Sequence, residues 1–228
     1  QKALKDVKLS GADRTIAILV RSNWQVDKLV DAAKKKGFHI DTKTGGDLFQ
    51  LPSTIDLYKL VCALVNSSNP LNLVSFIESN YTDLKLDYHL YHGLEFADVL
   101  CDLRRILDLF FMNKMEMTWQ QIIAMAYAKP ALVVLKHLYD ALEPWKNLGD
   151  SNHSQRHYMA NYDYLLERII KYTRADSLTL SQIAEYLRIN IVTGKKQLSR
   201  NVNLDDGGIK MICTTVHKSK GLEYGTVI

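Results

Sequence analysis

Apolar residues follow two different rhythms along this chain, and the rhythm changes at two places. Near the start, Thr15-Ile-Ala-Ile-Leu-Val20 is almost continuously apolar and β-favouring, the pattern of a strand covered on both faces. Val26, Leu29, Val30 and Ala33 then recur at helical spacing, with Ser22 or Asn23 as a cap ahead of them and Gly37 as the stop. Phe38-His-Ile40 predicts a further short strand. Strand, helix, glycine, strand is a βαβ-like order, so this N-terminal stretch reads as part of a doubly wound parallel sheet. Residues 1–10 carry only a weak helical pattern. At the far end the continuous rhythm returns: Met211 to Val216 reads as a buried strand, and Tyr224 to Ile228 as the start of another.

Between these ends the spacing becomes three to four. Asp56–Asn66, Leu71–Ser79, Phe96–Phe111, Trp119–Ala128, Leu132–Leu142, Tyr158–Tyr172 and Leu180–Ile191 each predict a helix. Ser67-Ser-Asn-Pro70 and Asn147-Leu-Gly-Asp150 read as turns, Thr118 and Thr179 or Ser181 as caps, and Pro130 and Pro144 as punctuation. The expected architecture is α/β: a partial parallel sheet from residues 1–55 and 205–228, interrupted by an all-helical insert over 56–204.

Composition narrows the class without naming a function. With 47% hydrophobic residues the chain has enough apolar material for a real core. No apolar run approaches the length of a membrane span, and no signal peptide opens the sequence, so a cytoplasmic protein with no membrane partner is expected. Cys62, Cys101 and Cys213 are widely spaced and form no C-x-x-C pair, which supports neither a disulfide framework nor a zinc site. A net charge of +4 permits a nucleic-acid partner but does not argue for one.

The chemistry concentrates after the last long strand. Lys218, Ser219 and Lys220 ahead of Gly221 offer cations, a hydroxyl and a close-approach amide, which suit a phosphate; Glu223 is an acceptor for a hydroxyl or cation. The carboxyl end of a strand is also where open α/β sheets hold ligands. Taken alone, such a turn after a strand is more often a solvated loop, which is the expectation on these grounds. In the insert, Tyr81, Tyr88, Tyr91, Tyr158, Tyr162, Tyr164 and Tyr172 with His89, His92, His153 and His157 fit either stacking platforms for nucleic acid or core packing, with packing the expectation. His153 and His157 stand four apart, yet nothing links a third ligand to them, so no metal is expected.

The residue string is more specific than its chemistry. Thr215-Val-His217-Lys-Ser-Lys220-Gly221-Leu222-Glu223-Tyr224 resembles motif V of UvrD/Rep/PcrA-type superfamily 1 DNA helicases, whose pattern is Thr-Ile/Val-His-x-x-Lys-Gly-Leu-Glu-Phe/Tyr. Ile16-Ala-Ile-Leu-Val-Arg21-Ser22-Asn23-Trp24-Gln25 is similar to the segment after motif IV of the same family. Gly45-Gly46-x-x-Phe49, a helix from Ser53 to Val65 and Asn69-Pro70 continue that likeness. The resemblance implies a partial RecA-like motor domain, 2A, interrupted by a helical 2B insert. It implies that Arg21, Asn23, Thr215 and His217 face single-stranded DNA, that Gly221 and Glu223 face ATP, and that Lys220 couples the two. Single-stranded DNA, single-strand/duplex junctions and a protein met through the insert are the implied partners; ATP and Mg2+ are the implied cofactors of the parent, which would step 3′ to 5′.

The resemblance covers only the middle-to-late part of such a motor. No Walker A loop is present, since Gly194-Lys195 is followed by Lys196, and no magnesium-holding carboxylate pair is evident. The expectation is therefore a segment of a longer helicase, without catalytic residues and without ATPase activity of its own. An AddA/RecB-like helicase–nuclease subunit and a helicase-derived protein-interaction module are the alternatives.

Overall fold

β-Branched residues alternate with alanine and leucine over Thr15–Val20, and this run forms strand β1. Helix α1 follows at Asn23–Lys35, then the short strand β2 at Asp41–Thr42. The end of the chain supplies β3, Lys210–Thr215, a single helical turn at Val216–Ser219, and β4, Thr226–Val227. The computed structural model describes residues 15–36, 40–42, 48–148, 152–173, 178–193, 210–220 and 224–228. The weak helix expected over 1–10, Gly45-Gly46, the loop from 194 to 208 and the return near Asp205 lie outside them.

The strands form one sheet in the order β2-β3-β1-β4, every pair parallel. β3 thus lies between two strands from the other end of the chain, and the sheet is complete only when the chain returns. α1 packs its apolar stripe on the sheet: Val26 and Ala33 are buried with Ile40 and Cys213, and Ile18, Val20, Leu29, Val30 and Met211 pack against them.

Two expectations shift. Double-sided cover holds only at the start of β1, where Ile16 and Ala17 are buried while Ile18 to Val20 are partly exposed. A strand, β2, is described at Asp41-Thr42, paired through its backbone with Ile212 and Cys213, and Ile40 lies just before it; Phe38 and His39 of the expected strand lie outside the described residues. β3 stops at Thr215, and Val216, 55% exposed, begins the helical turn instead of ending the strand.

Residues 47–200 form a separate compact unit, and residues 1–46 with 201–228 form the other. The helical unit runs through a 3-10 turn, Leu48–Gln50, and helices α2 (Pro52–Val65), α3 (Pro70–Ile77), α4 (Phe96–Met115), α5 (Trp119–Ala128), α6 (Ala131–Leu142), α7 (Asn152–Thr173) and α8 (Leu180–Thr193). Leu48 and Phe49 are fully buried in its core. The segment 47–55 therefore belongs with the helices, and the first boundary lies at 46/47 rather than after 55.

Local chemistry sets the helix ends. Pro52 and Pro70 open α2 and α3, where a missing N–H costs nothing, and Asn69 Oδ1 accepts from the Leu71 amide at 3.0 Å. Thr118 and Gln121 form a full capping box on α5, and Thr179 with Gln182 repeats it on α8. Inside, the rings of Phe76, Phe111 and Trp119 lie near-parallel at 5.4 to 6.2 Å, and Tyr139 stacks on Tyr162 at 3.7 Å. No helix among the described residues is long and apolar enough to cross a membrane.

Candidate nucleic-acid interface

Parallel pairing fixes where the segments after β1 and β3 emerge. Val20 lies opposite Thr215, so Arg21 and the turn carrying His217 leave the sheet side by side at its carboxyl edge. These residues come from opposite ends of the chain. The carboxyl edge of a parallel sheet is the ordinary place for a ligand site.

The start of α1 is tied by a residue outside the expected caps. Gln25 Oε1 accepts from the backbone amides of Arg21 at 3.0 Å and Ser22 at 3.2 Å, and the Gln25 amide donates back to the Ser22 carbonyl at 3.2 Å. This is the returning half of a capping box, with glutamine at the third helical position. It pins the Arg21 backbone while its side chain stays exposed. The side chain of Asn23 lies outside the described residues.

After β3, His217 and Lys220 are exposed. Thr215 is not: it is 6% exposed at the end of the strand, so its side chain is packed rather than displayed at the edge. The Ser219 hydroxyl, expected as a ligand donor, donates to the Val216 carbonyl at 2.8 Å and closes the helical turn. The neighbouring Thr214 hydroxyl is fully buried without a hydrogen-bond partner among the described residues. Gly221 and Glu223, expected at a nucleotide, lie outside the described residues, as does the Lys218 side chain. Lys220 alone does not make a nucleotide site.

One residue at this edge was not singled out by sequence. Trp24 is 58% exposed in the first turn of α1, and Lys28 Nζ sits 4.8 Å from its ring centroid. At 100° per residue, position 24 lies roughly opposite the buried stripe of 26, 29, 30 and 33, and position 28 shares its face. A tryptophan off the apolar stripe was the available signal.

In the helical unit the aromatic side chains divide. Tyr81, Tyr158 and Tyr162 are buried core residues, which excludes them as stacking platforms, whereas Tyr88 and Tyr172 are exposed. Asp56 is a buried carboxylate that accepts from Asn80 Nδ2 at 2.7 Å and the Tyr158 hydroxyl at 3.1 Å. Burial raises its pKa, and the hydrogen bonds from Asn80 and Tyr158 only partly oppose this. Burial, reinforced by the Asp102 carboxylate 2.9 Å away, pushes the Tyr91 hydroxyl up to about 12. These groups serve packing and lie in the helical unit, not at the sheet edge. Among the described residues no group of three or more His, Cys, Asp or Glu is placed to hold a metal ion.

No family model matches the chain, and no curated protein matches it. What defines the molecule is thus its own geometry: a mostly helical α/β chain with a small parallel sheet and a basic, aromatic carboxyl edge.

Proposed function

We propose that this chain is the 2A/2B portion of a UvrD/Rep/PcrA-like ATP-dependent DNA helicase, and that the carboxyl edge of β1 and β3 binds single-stranded DNA. The observation that supports this reading is the parallel register of Val20 with Thr215, which puts exposed Arg21 and exposed His217 at one edge although the two sequence segments are separated by the whole helical unit. A motor that grips one strand needs its two short motifs side by side, and the sequence likeness alone does not require that.

On this reading Arg21 supplies a phosphate contact and His217 a donor to the strand. The residues assigned to ATP lie outside the described ones, so no step is routed through ATP or Mg2+ on this chain; hydrolysis belongs to a motor domain carrying the Walker motifs. A phosphate-contacting arginine weakens binding evenly across sequences when removed and lowers the salt dependence. Arg21→Ala is therefore expected to reduce the log–log salt slope of single-strand binding by about one. An unchanged slope would refute the assignment.

A second reading, a helicase-derived module for protein contact, is favoured by a different feature. Tyr88, Leu90, Leu94 and Phe96 are all exposed on one short segment of the helical unit, more apolar surface than solvation alone explains. Loss of a protein complex on replacing Leu90 and Phe96 with serine, with strand binding intact, would support it.

A further inference from the structure

We infer that Trp24 is a base-stacking residue for single-stranded nucleic acid, and that Lys28 beside it receives the adjoining phosphate. The inference rests on the single-strand reading of the sheet edge and adds to it a contact that depends on bases as well as charge.

Three observations carry it. Trp24 stands 58% exposed although its helix has a buried stripe available to apolar side chains, so the fold gains little from a tryptophan there. The Lys28 ammonium lies 4.8 Å from the ring centroid, which pairs a π face with a mobile cation. Arg21, exposed and three residues earlier, and His217, exposed across the β1–β3 pairing, extend the same edge. An aromatic face beside a run of cations is the arrangement that binds single strands without reading sequence: bases stack on the ring and phosphates meet the cations. A base on Trp24 releases the ammonium from the ring to the neighbouring phosphate, so the two contacts form together.

The test uses the 228-residue chain and its Trp24→Ala and Trp24→Phe variants, with circular dichroism melting to confirm that each variant folds as the parent does. Each is titrated with labelled oligo(dT) and with an abasic oligonucleotide of equal length, following label anisotropy and tryptophan emission. Trp119 is buried and Trp145 half-buried, so Trp24 is the indole that a stacking base quenches. The expected result is quenching by oligo(dT) in the parent, about tenfold weaker oligo(dT) binding by Trp24→Ala, partial recovery by Trp24→Phe, and no effect of either change on abasic binding. Equal oligo(dT) binding by parent and Trp24→Ala would overturn the inference and leave the single-strand reading standing. Equal losses on oligo(dT) and abasic strands would also overturn it, because the contact would then be to phosphate alone. No binding by the parent to either strand would overturn both.

Discussion

The helical unit and the sheet unit are held together in different ways. The helical unit buries a continuous core of large side chains, with Phe76, Phe111 and Trp119 stacked at one place and Tyr139 on Tyr162 at another. Among the described residues of the sheet unit the cluster is smaller, Val26, Ala33, Ile40 and Cys213, with Ile16, Ala17 and Ile212 also buried, and the strands come from both ends of the chain. The first is stabilised by side-chain packing between helices, α2 against α7 and α8 among them, the second by backbone pairing between strands from distant segments. Candidate chemistry sits on the second. The region with the larger described core is thus scaffold, and the exposed cations and the exposed tryptophan lie on the sheet unit.

The largest way to break this contrast is in the aromatic core. Trp119→Ala removes the centre of the ring stack and is expected to cost about 3–5 kcal/mol, read by urea denaturation of the helical circular dichroism. A cost under about 1 kcal/mol would mean that the helical unit does not depend on that core.

Next is the buried carboxylate. Asp56→Ala leaves the Tyr158 hydroxyl and the Asn80 amide without their acceptor, and about 2 kcal/mol of destabilisation is expected. The pH dependence has a definite sign. Burial raises the folded-state pKa of Asp56 above its unfolded value, so the native state holds the proton more tightly. Its contribution to stability is present at low pH and is lost as pH rises from the ordinary carboxylate range through the raised value. Asp56→Asn lacks this loss, so the parent should weaken relative to Asp56→Asn as pH increases across that window; the opposite trend in paired denaturation curves would contradict the burial argument.

The smallest effect sharpens the other side of the comparison. The Thr214 hydroxyl is buried in β3 without a partner among the described residues, so Thr214→Val, which keeps the shape and removes the orphan, is expected to be neutral or to stabilise by up to about 1 kcal/mol. A clear destabilisation in thermal melting would show that the hydroxyl makes a contact in solution.

Legibility followed the same division. The helices of the insert were legible almost in full, because apolar spacing, threonine caps and prolines are local signals; α5 has the expected ends. β1 was equally clear. β2 was not, since Asp41-Thr42 is polar and becomes a strand only by pairing with β3. The strand order was not legible either, because no local pattern says that β3 inserts between β1 and β2. At the candidate site, Arg21 and His217 were found through residue strings, while the exposure of Trp24 and the burial of Thr215 depend on which face each presents after folding. Ser22 stands at the cap of α1 as expected, and the bonds that return to it come from the Gln25 side chain three residues on.

The central claim is that one edge of the sheet, built from both ends of the chain, grips a single strand. Photocrosslinking a thiothymidine-containing oligonucleotide to the 228-residue chain and mapping the adducts by peptide mass spectrometry tests it most directly. The account predicts adducts in two peptides, one spanning Arg21 to Lys28 and one spanning Thr215 to Lys220, both suppressed by raised salt. Adducts confined to residues 47–200 would contradict it and move the interface to the helical unit.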